Sequence, residues 1–181
     1  MSVLTAFMRG VTRLNDFVGR WIALLIFAMF AFLLLEVGFR YLLNAPTVWT
    51  NELTQMLFGI YAVMSGGYIM AHRGHVNVDL LQARLAPRKR AVLDMFTSVV
   101  FFIFTLALLW FGIDMASESI SGWETSYSAW NPWIWPVKLA IPVGTGLLVL
   151  QGLVKLLEDI AVAFNLDYYT PEATESEGEQ L

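Results

Sequence analysis

WIALLIFAMFAFLLLEVGFRYLL, residues 21–43, carries two charges, Glu36 and Arg40, and is otherwise almost wholly apolar. A helix that crosses a bilayer needs roughly 20 such residues, and this run has that length. Arg9 and Arg13 precede it, as basic residues precede a secretory signal. The apolar core of such a signal is only about 7–15 residues long and ends at small residues. This run ends instead in Glu36, Arg40 and Tyr41. It reads as an uncleaved first membrane helix, stopped at Asn44, Ala45 and Pro46, because proline disfavours helix in the residue before it.

Three further runs of this kind follow, at 53–71, 91–113 and 137–157. Together they leave little else of the 181 residues, of which 57% are hydrophobic and 14% charged. Soluble domains carry about 25% charge, and the mean hydropathy here is +0.62. The expected fold is an all-α membrane protein: four transmembrane helices over 21–160 plus an N-terminal interfacial amphipathic helix over 1–20. In that first segment Leu4, Phe7, Val11, Leu14 and Val18 share a helical face, with Arg9, Arg13, Asp16 and Arg20 opposite. Arginines toward headgroups and apolar groups toward acyl chains define an interfacial helix; a cytoplasmic extension of the first span is the competing reading. Residues 161–181, rich in Glu, read as an acidic, disordered cytoplasmic tail. No apolar run follows that tail, which argues against fusion to a larger partner.

Within the second run, Gly59, Ala62 and Gly66 form a small-residue face that lets another helix approach. Pro136 suits a first helical turn, and Pro142 should bend or loosen the last run.

Nine of the eleven Lys and Arg residues fall in 1–20, in 72–90 or at Lys155; only Arg40 and Lys138 lie on the other side. The positive-inside rule therefore places both termini and the 72–90 loop in the cytoplasm. Six of the seven tryptophans (Trp49, Trp110, Trp123, Trp130, Trp133 and Trp135) gather at the opposite side. Tryptophan favours the interface, where its ring is apolar and its N–H meets water. Six on one side point to a structured outer surface.

Glu36 and Arg40 lie four apart, on one helical face. A lone charge at that depth costs about 2.5–3.5 kcal/mol on insertion scales, and an i, i+4 pair shares that cost. A proton or ion relay is one reading; a polar clamp to a neighbouring helix or partner is favoured, because a relay needs polar groups in line. Glu52 opens the second run, where a carboxylate suits a helix N-terminus, and it is also placed to pair with Arg40. His72 and His75 sit three apart in a basic loop rather than facing each other within the bilayer, so a haem is disfavoured. Asp94 is placed to pair with Arg90, one turn back. Among the readings of the residues, no cofactor, metal or catalytic group is expected, and an enzyme is excluded on that ground. The chain has no cysteine, hence no disulfide or thiolate chemistry.

The ordered set Arg40-Tyr41, Asn44, Trp49, Glu52-Leu53, then Gly66 and His75-Val76-Asn77-Val78-Asp79, then Trp135-Pro136-Val137-Lys138, Ile141-Pro142 and Leu150-Gln151-Gly152 resembles the small membrane subunit of TRAP (tripartite ATP-independent periplasmic) transporters. The resemblance covers about residues 20–160, and the last segment looks most like the branch grouped with transporters for mannitol, chloroaromatic or 2-oxo acids. It implies a bacterial inner-membrane location and two protein partners: a large multi-span subunit with the substrate and sodium sites, and a periplasmic substrate-binding protein that delivers an organic acid or similar solute. It implies a scaffold role for this chain, with lipid around it and no nucleic acid. On that reading Glu36, Arg40 and Glu52 form the subunit-interface or structural clamp. His75 and Asp79 hold the loop. Trp123, Glu124, Trp130 and Trp133 are candidates for docking the binding protein. The alternative from another class is a self-contained oligomeric exporter or channel, with Glu36 facing a shared pore.

Overall fold

The structure is a computed structural model that describes residues 3–72 and 87–164, with the backbone alone for 87–91. The described residues form five helices: α1 Val3–Ala23, α2 Leu25–Tyr41, α3 Thr50–Ala71, α4 Pro87–Ser121 and α5 Trp135–Phe164. Three helical stretches are long and apolar enough to cross a membrane: Val3–Tyr41, Thr50–Ala71 and Val92–Ser121. The 35 residues of α4 span roughly 52 Å at about 1.5 Å per residue. That is longer than the apolar run that defines it in the sequence: its C-terminal end continues past residue 113 through the exposed Asp114 and Glu118.

The helical stretch that holds the first apolar run extends from Val3 to Tyr41 and is divided once. A one-residue joint at Leu24, which keeps helical dihedrals of φ −66° and ψ −22°, separates α1 from α2. The Leu24 N–H donates to the Trp21 carbonyl and the Phe27 N–H to the Leu24 carbonyl, a locally tightened turn of i→i+3 bonds. At its other end α2 closes as the sequence anticipates. Asn44 takes a left-handed conformation, φ 49°, and the Ala45 N–H reaches back to the Phe39 carbonyl at 3.0 Å. This bond reaches back six residues, one more than the bond of a Schellman motif, and with left-handed Asn44 it turns the chain away from the helix axis; Pro46 then prevents resumption.

α5 is the central helix: α4, α3 and α1 all pack on it, while α2 leans on α3. Its buried residues are mostly small, including Ala140, Gly144, Gly152, Ala161 and Ala163. The tightest backbone contact lies at Gly144, where an added Cβ would stand 2.8 Å from the Val63 carbonyl oxygen of α3. The small-residue face of α3 meets this same helix, with Gly59 near Val137 and Gly66 near Leu148, whereas Ala62 is exposed. The helix runs through Pro142 without interruption.

α1 docks on the bundle with Met8, Val11, Asn15 and Gly19, not with the whole face formed by Leu4, Phe7, Val11, Leu14 and Val18. Met8 and Val11 form an apolar cluster with Val154, and Leu4, Leu150 and Leu157 pack around it. Asn15 is fully buried beside them and donates to the Gln151 side chain at 3.0 Å and to the Val11 carbonyl at 3.2 Å. Its Oδ1 occupies the place of the missing side chain of Gly67, so only glycine admits this amide. Phe7, Leu14, Phe17 and Trp21 are exposed on the neighbouring sector, as are Phe27, Phe30 and Leu34 on α2 and Phe96, Val100, Ile103 and Phe104 on α4. Soluble monomers rarely expose so many large apolar side chains along whole helix faces. Lipid or a partner must cover them.

Candidate functional site

Two polar constellations stand at the end of the bundle that carries the α4–α5 loop. The first is built on Glu36, buried on α2. One carboxylate oxygen accepts from Arg40 Nε at 3.0 Å and from the adjoining Arg40 amino group. The other accepts from the Thr47 N–H at 3.2 Å, from the Thr47 hydroxyl and from the Thr50 hydroxyl at 2.8 Å. Thr50 is wholly buried at the first turn of α3. The carboxylate therefore ties α2 to the start of α3 through the 44–50 turn, with its acceptor capacity used within the chain. Charge-assisted bonds of this kind are the strong ones, and they matter most where water is scarce. Arg40 remains half exposed, with 53% of its side chain accessible.

Glu52 does not join Arg40. Its Oε2 accepts from the Ser128 hydroxyl at 2.6 Å, which links the first turn of α3 to the loop between α4 and α5. That loop is the second constellation. An isolated antiparallel bridge joins Thr125 to Trp133. The Ser126 N–H donates to the Pro132 carbonyl and the Ile134 N–H to the Glu124 carbonyl, both at 3.0 Å. Trp123, Tyr127 and Asn131 adopt left-handed backbone conformations, which non-glycine residues rarely do. The turn is thus fixed by its own ladder and by the Asn131 side chain, which accepts from the Tyr127 N–H. Trp123 and Trp133 stand edge to face with centroids 5.9 Å apart, and Trp130 leans on Trp49, which in turn meets Phe32. Trp123 is 65% exposed, Trp133 57% and Tyr127 86%. Glu124 is paired with Lys138 from the first turn of α5, and the hydrogen bond from that ammonium holds its carboxyl below the ordinary carboxylate range.

The structure thus gathers the four loop residues singled out in the sequence and gives each a local partner. It separates Glu52 from Arg40. Thr47, Thr50, Ser128 and Lys138 complete the two constellations, and Asn15 with Gln151 holds α1; Lys138 and Gln151 were marked in the sequence only as parts of the resemblance and the charge pattern, and Thr47, Thr50, Ser128 and Asn15 not at all. The signal for Asn15 was its place among Met8, Val11 and Gly19 at helical spacing. At the other end of the bundle His72 Nε2 lies 3.0 Å from Asp16 Oδ1, and its ring packs edge-on against Tyr68. Asp94 is buried on α4; the side chain of Arg90, its expected partner, lies outside the described residues, as do His75, Asp79 and 165–181.

Sequence comparison places these features. Residues 29–162 match the family described as tripartite ATP-independent periplasmic transporters, DctQ component. The chain is 24% identical over 129 residues to the sialic acid TRAP transporter small permease protein SiaQ of Vibrio cholerae, covering 71% of this chain and 73% of that one. It is 23% identical over 106 residues to the sialic acid TRAP transporter permease protein SiaT of Haemophilus influenzae, covering 59% of this chain and 17% of that longer protein. With the matched region spanning most of an all-helical, membrane-suited chain, the protein belongs to the DctQ family and is a small membrane subunit of a TRAP transporter.

Proposed function

We propose that this subunit is a static scaffold for a large multi-span permease that performs sodium-coupled uptake of an organic acid or similar solute. A periplasmic binding protein delivers the solute. In this reading α2, α3, α4 and α5 are the four membrane spans, α1 lies at the cytoplasmic side, and both termini are cytoplasmic in the bacterial inner membrane. The charge asymmetry supports that orientation: the exposed Arg13 and Arg20 sit at the end opposite the tryptophan loop.

The observation that carries the proposal is the closure of the Glu36 constellation. A carboxylate that passes ions or protons must exchange partners; this one receives five donor contacts from Arg40, Thr47 and Thr50. That arrangement fixes helix geometry, and it weighs against the oligomeric channel reading, in which Glu36 faces a pore. The aromatic loop, rigid in backbone and exposed in side chain, suits the binding protein as a docking surface. Aromatic residues that lose little entropy on contact favour such a role. The names of both relatives point to a carboxylate-bearing solute.

Proteoliposomes test this directly. The chain, its large permease and the binding protein are reconstituted together, and uptake of radiolabelled carboxylic acids, sialic acid included, is followed under an inward sodium gradient. Uptake that requires all three components and collapses with the gradient supports the reading. Uptake by the permease without this chain, or by this chain alone, contradicts it.

A further inference from the structure

The exposed faces of α4 and α3 differ in chemistry. The outward face of α4 is large and apolar, with Phe96, Val100, Ile103 and Phe104, apart from the exposed Thr97, whose hydroxyl donates to the Asp94 carbonyl at 3.0 Å. The exposed stripe of α3 is not: Asn51, Gln55, Phe58 and Ala62 follow one another at i, i+4, i+7 and i+11. Between α2 and α3 runs a groove of ≈ 530 Å³ lined by Ile26, Phe30, Leu33, Thr54, Gln55 and Phe58. Thr54 is satisfied by the Thr50 carbonyl. Gln55 is exposed and, among the described residues, makes no hydrogen bond. It stands five residues into α3, roughly 7 Å along the helix, and lines the groove, where an apolar occupant would leave its amide without a partner. On α2, Arg40 continues the groove-lining face at helical spacing from Ile26 and Leu33. Glu36 takes two of its N–H groups, and a guanidinium has five.

We infer that the α2–α3 groove is the seat of a transmembrane helix of the large permease, one that offers small residues to Phe30 and Phe58 and a polar side chain or freed carbonyl to Gln55 and Arg40. The inference rests on the scaffold reading given above. An acyl chain fills the apolar floor equally well but leaves the Gln55 amide unpaired. A helix satisfies both, and polar side chains at helix contacts in membranes serve that purpose. The α4 face, whose Thr97 hydroxyl is already satisfied by the Asp94 carbonyl, is left to lipid.

The test is made on the assembled complex in membranes. A photoreactive phenylalanine analogue replaces Phe30 or Phe58 in the groove, or Phe104 on α4 as the control, and adducts are identified by mass spectrometry. The inference expects permease adducts from Phe30 and Phe58 and lipid adducts from Phe104. A permease adduct confined to Phe104, or lipid alone at the groove positions, overturns it. Co-purification of the unsubstituted chain with the permease is scored alongside. If it holds while the groove labels only lipid, the groove assignment fails and the scaffold reading stands; if it fails, both fall. As a second measurement, Gln55→Leu should weaken retention of the permease by about threefold to tenfold, whereas Ile103→Leu leaves it unchanged. Equal retention by Gln55→Leu and the parent contradicts the role given to the amide.

Discussion

Gly144→Ala sets one methyl group against the closest backbone approach at any of the described glycines. The added carbon would lie 2.8 Å from the Val63 carbonyl oxygen, 2.9 Å from Val63 Cγ1 and 3.0 Å from the Val63 carbonyl carbon. Carbon–oxygen contacts of this type settle at about 3.3–3.6 Å, so α3 and α5 must part by roughly 0.5 Å. Two of the three obstructing atoms are backbone, so no rotamer change relieves the contact. Overpacking of this kind costs about 1–3 kcal/mol, while alanine in place of glycine returns about 1 kcal/mol of helix propensity. Gly146→Ala provides the control: it gains the same propensity on the same helix and meets nothing within 4 Å. The difference between the two variants isolates the packing penalty, about 2 kcal/mol, or about 5 °C in Tm for a chain of this size. Thermal unfolding of the purified protein in detergent, followed by circular dichroism, measures it. Indistinguishable melting temperatures for the two variants would refute the close α3–α5 contact.

Asn15→Ala removes the amide that bonds Gln151 and leaves the buried Gln151 oxygen unpaired, at a cost of about 1–3 kcal/mol. The double change Asn15→Ala with Gln151→Leu should recover part of that loss, and hydrogen exchange in α1 reads the difference. Glu36→Ala, in a complex that still assembles, should abolish most uptake by freeing the 44–50 turn; unchanged uptake by that assembled variant sinks the clamp role. The Glu124 carboxyl, held below its ordinary value by Lys138, adds to loop stability above that ordinary value. This contribution is lost as pH falls through the lowered one. Loop tryptophan fluorescence should therefore be flat at neutral pH and change only in acid, and Lys138→Met should move the change to higher pH.

The membrane helices were legible because hydropathy over some 20 residues is a strong signal and needs no tertiary information. The end of α2 was legible too, since Asn44 and Pro46 act locally. The constellations were not. Glu36 reads as half of a pair with Arg40 because that partner is one turn away; Thr47 and Thr50 reach it only once the turn folds back. Glu52 and Ser128 are 76 residues apart and Asn15 and Gln151 are 136 apart, distances that no helical period relates. The α1 face was read from apolar spacing alone. The packing instead follows Asn15, whose amide fits against Gly67, and Gly19, which lies against Tyr68, because a buried amide with a partner and glycines that allow close approach fix a helix as firmly as leucines do. Trp123, Trp130 and Trp133 were found from composition, since six tryptophans on one side exceed what anchoring needs.

The central claim is that this chain works only as part of a larger assembly. It is tested most directly by expressing the chain with its neighbouring genes, extracting it gently through a C-terminal tag and measuring the mass and composition of what elutes. The account predicts a one-to-one complex with a large multi-span permease. A stable homo-oligomer, free of any such partner and able to move solute when reconstituted alone, would contradict it.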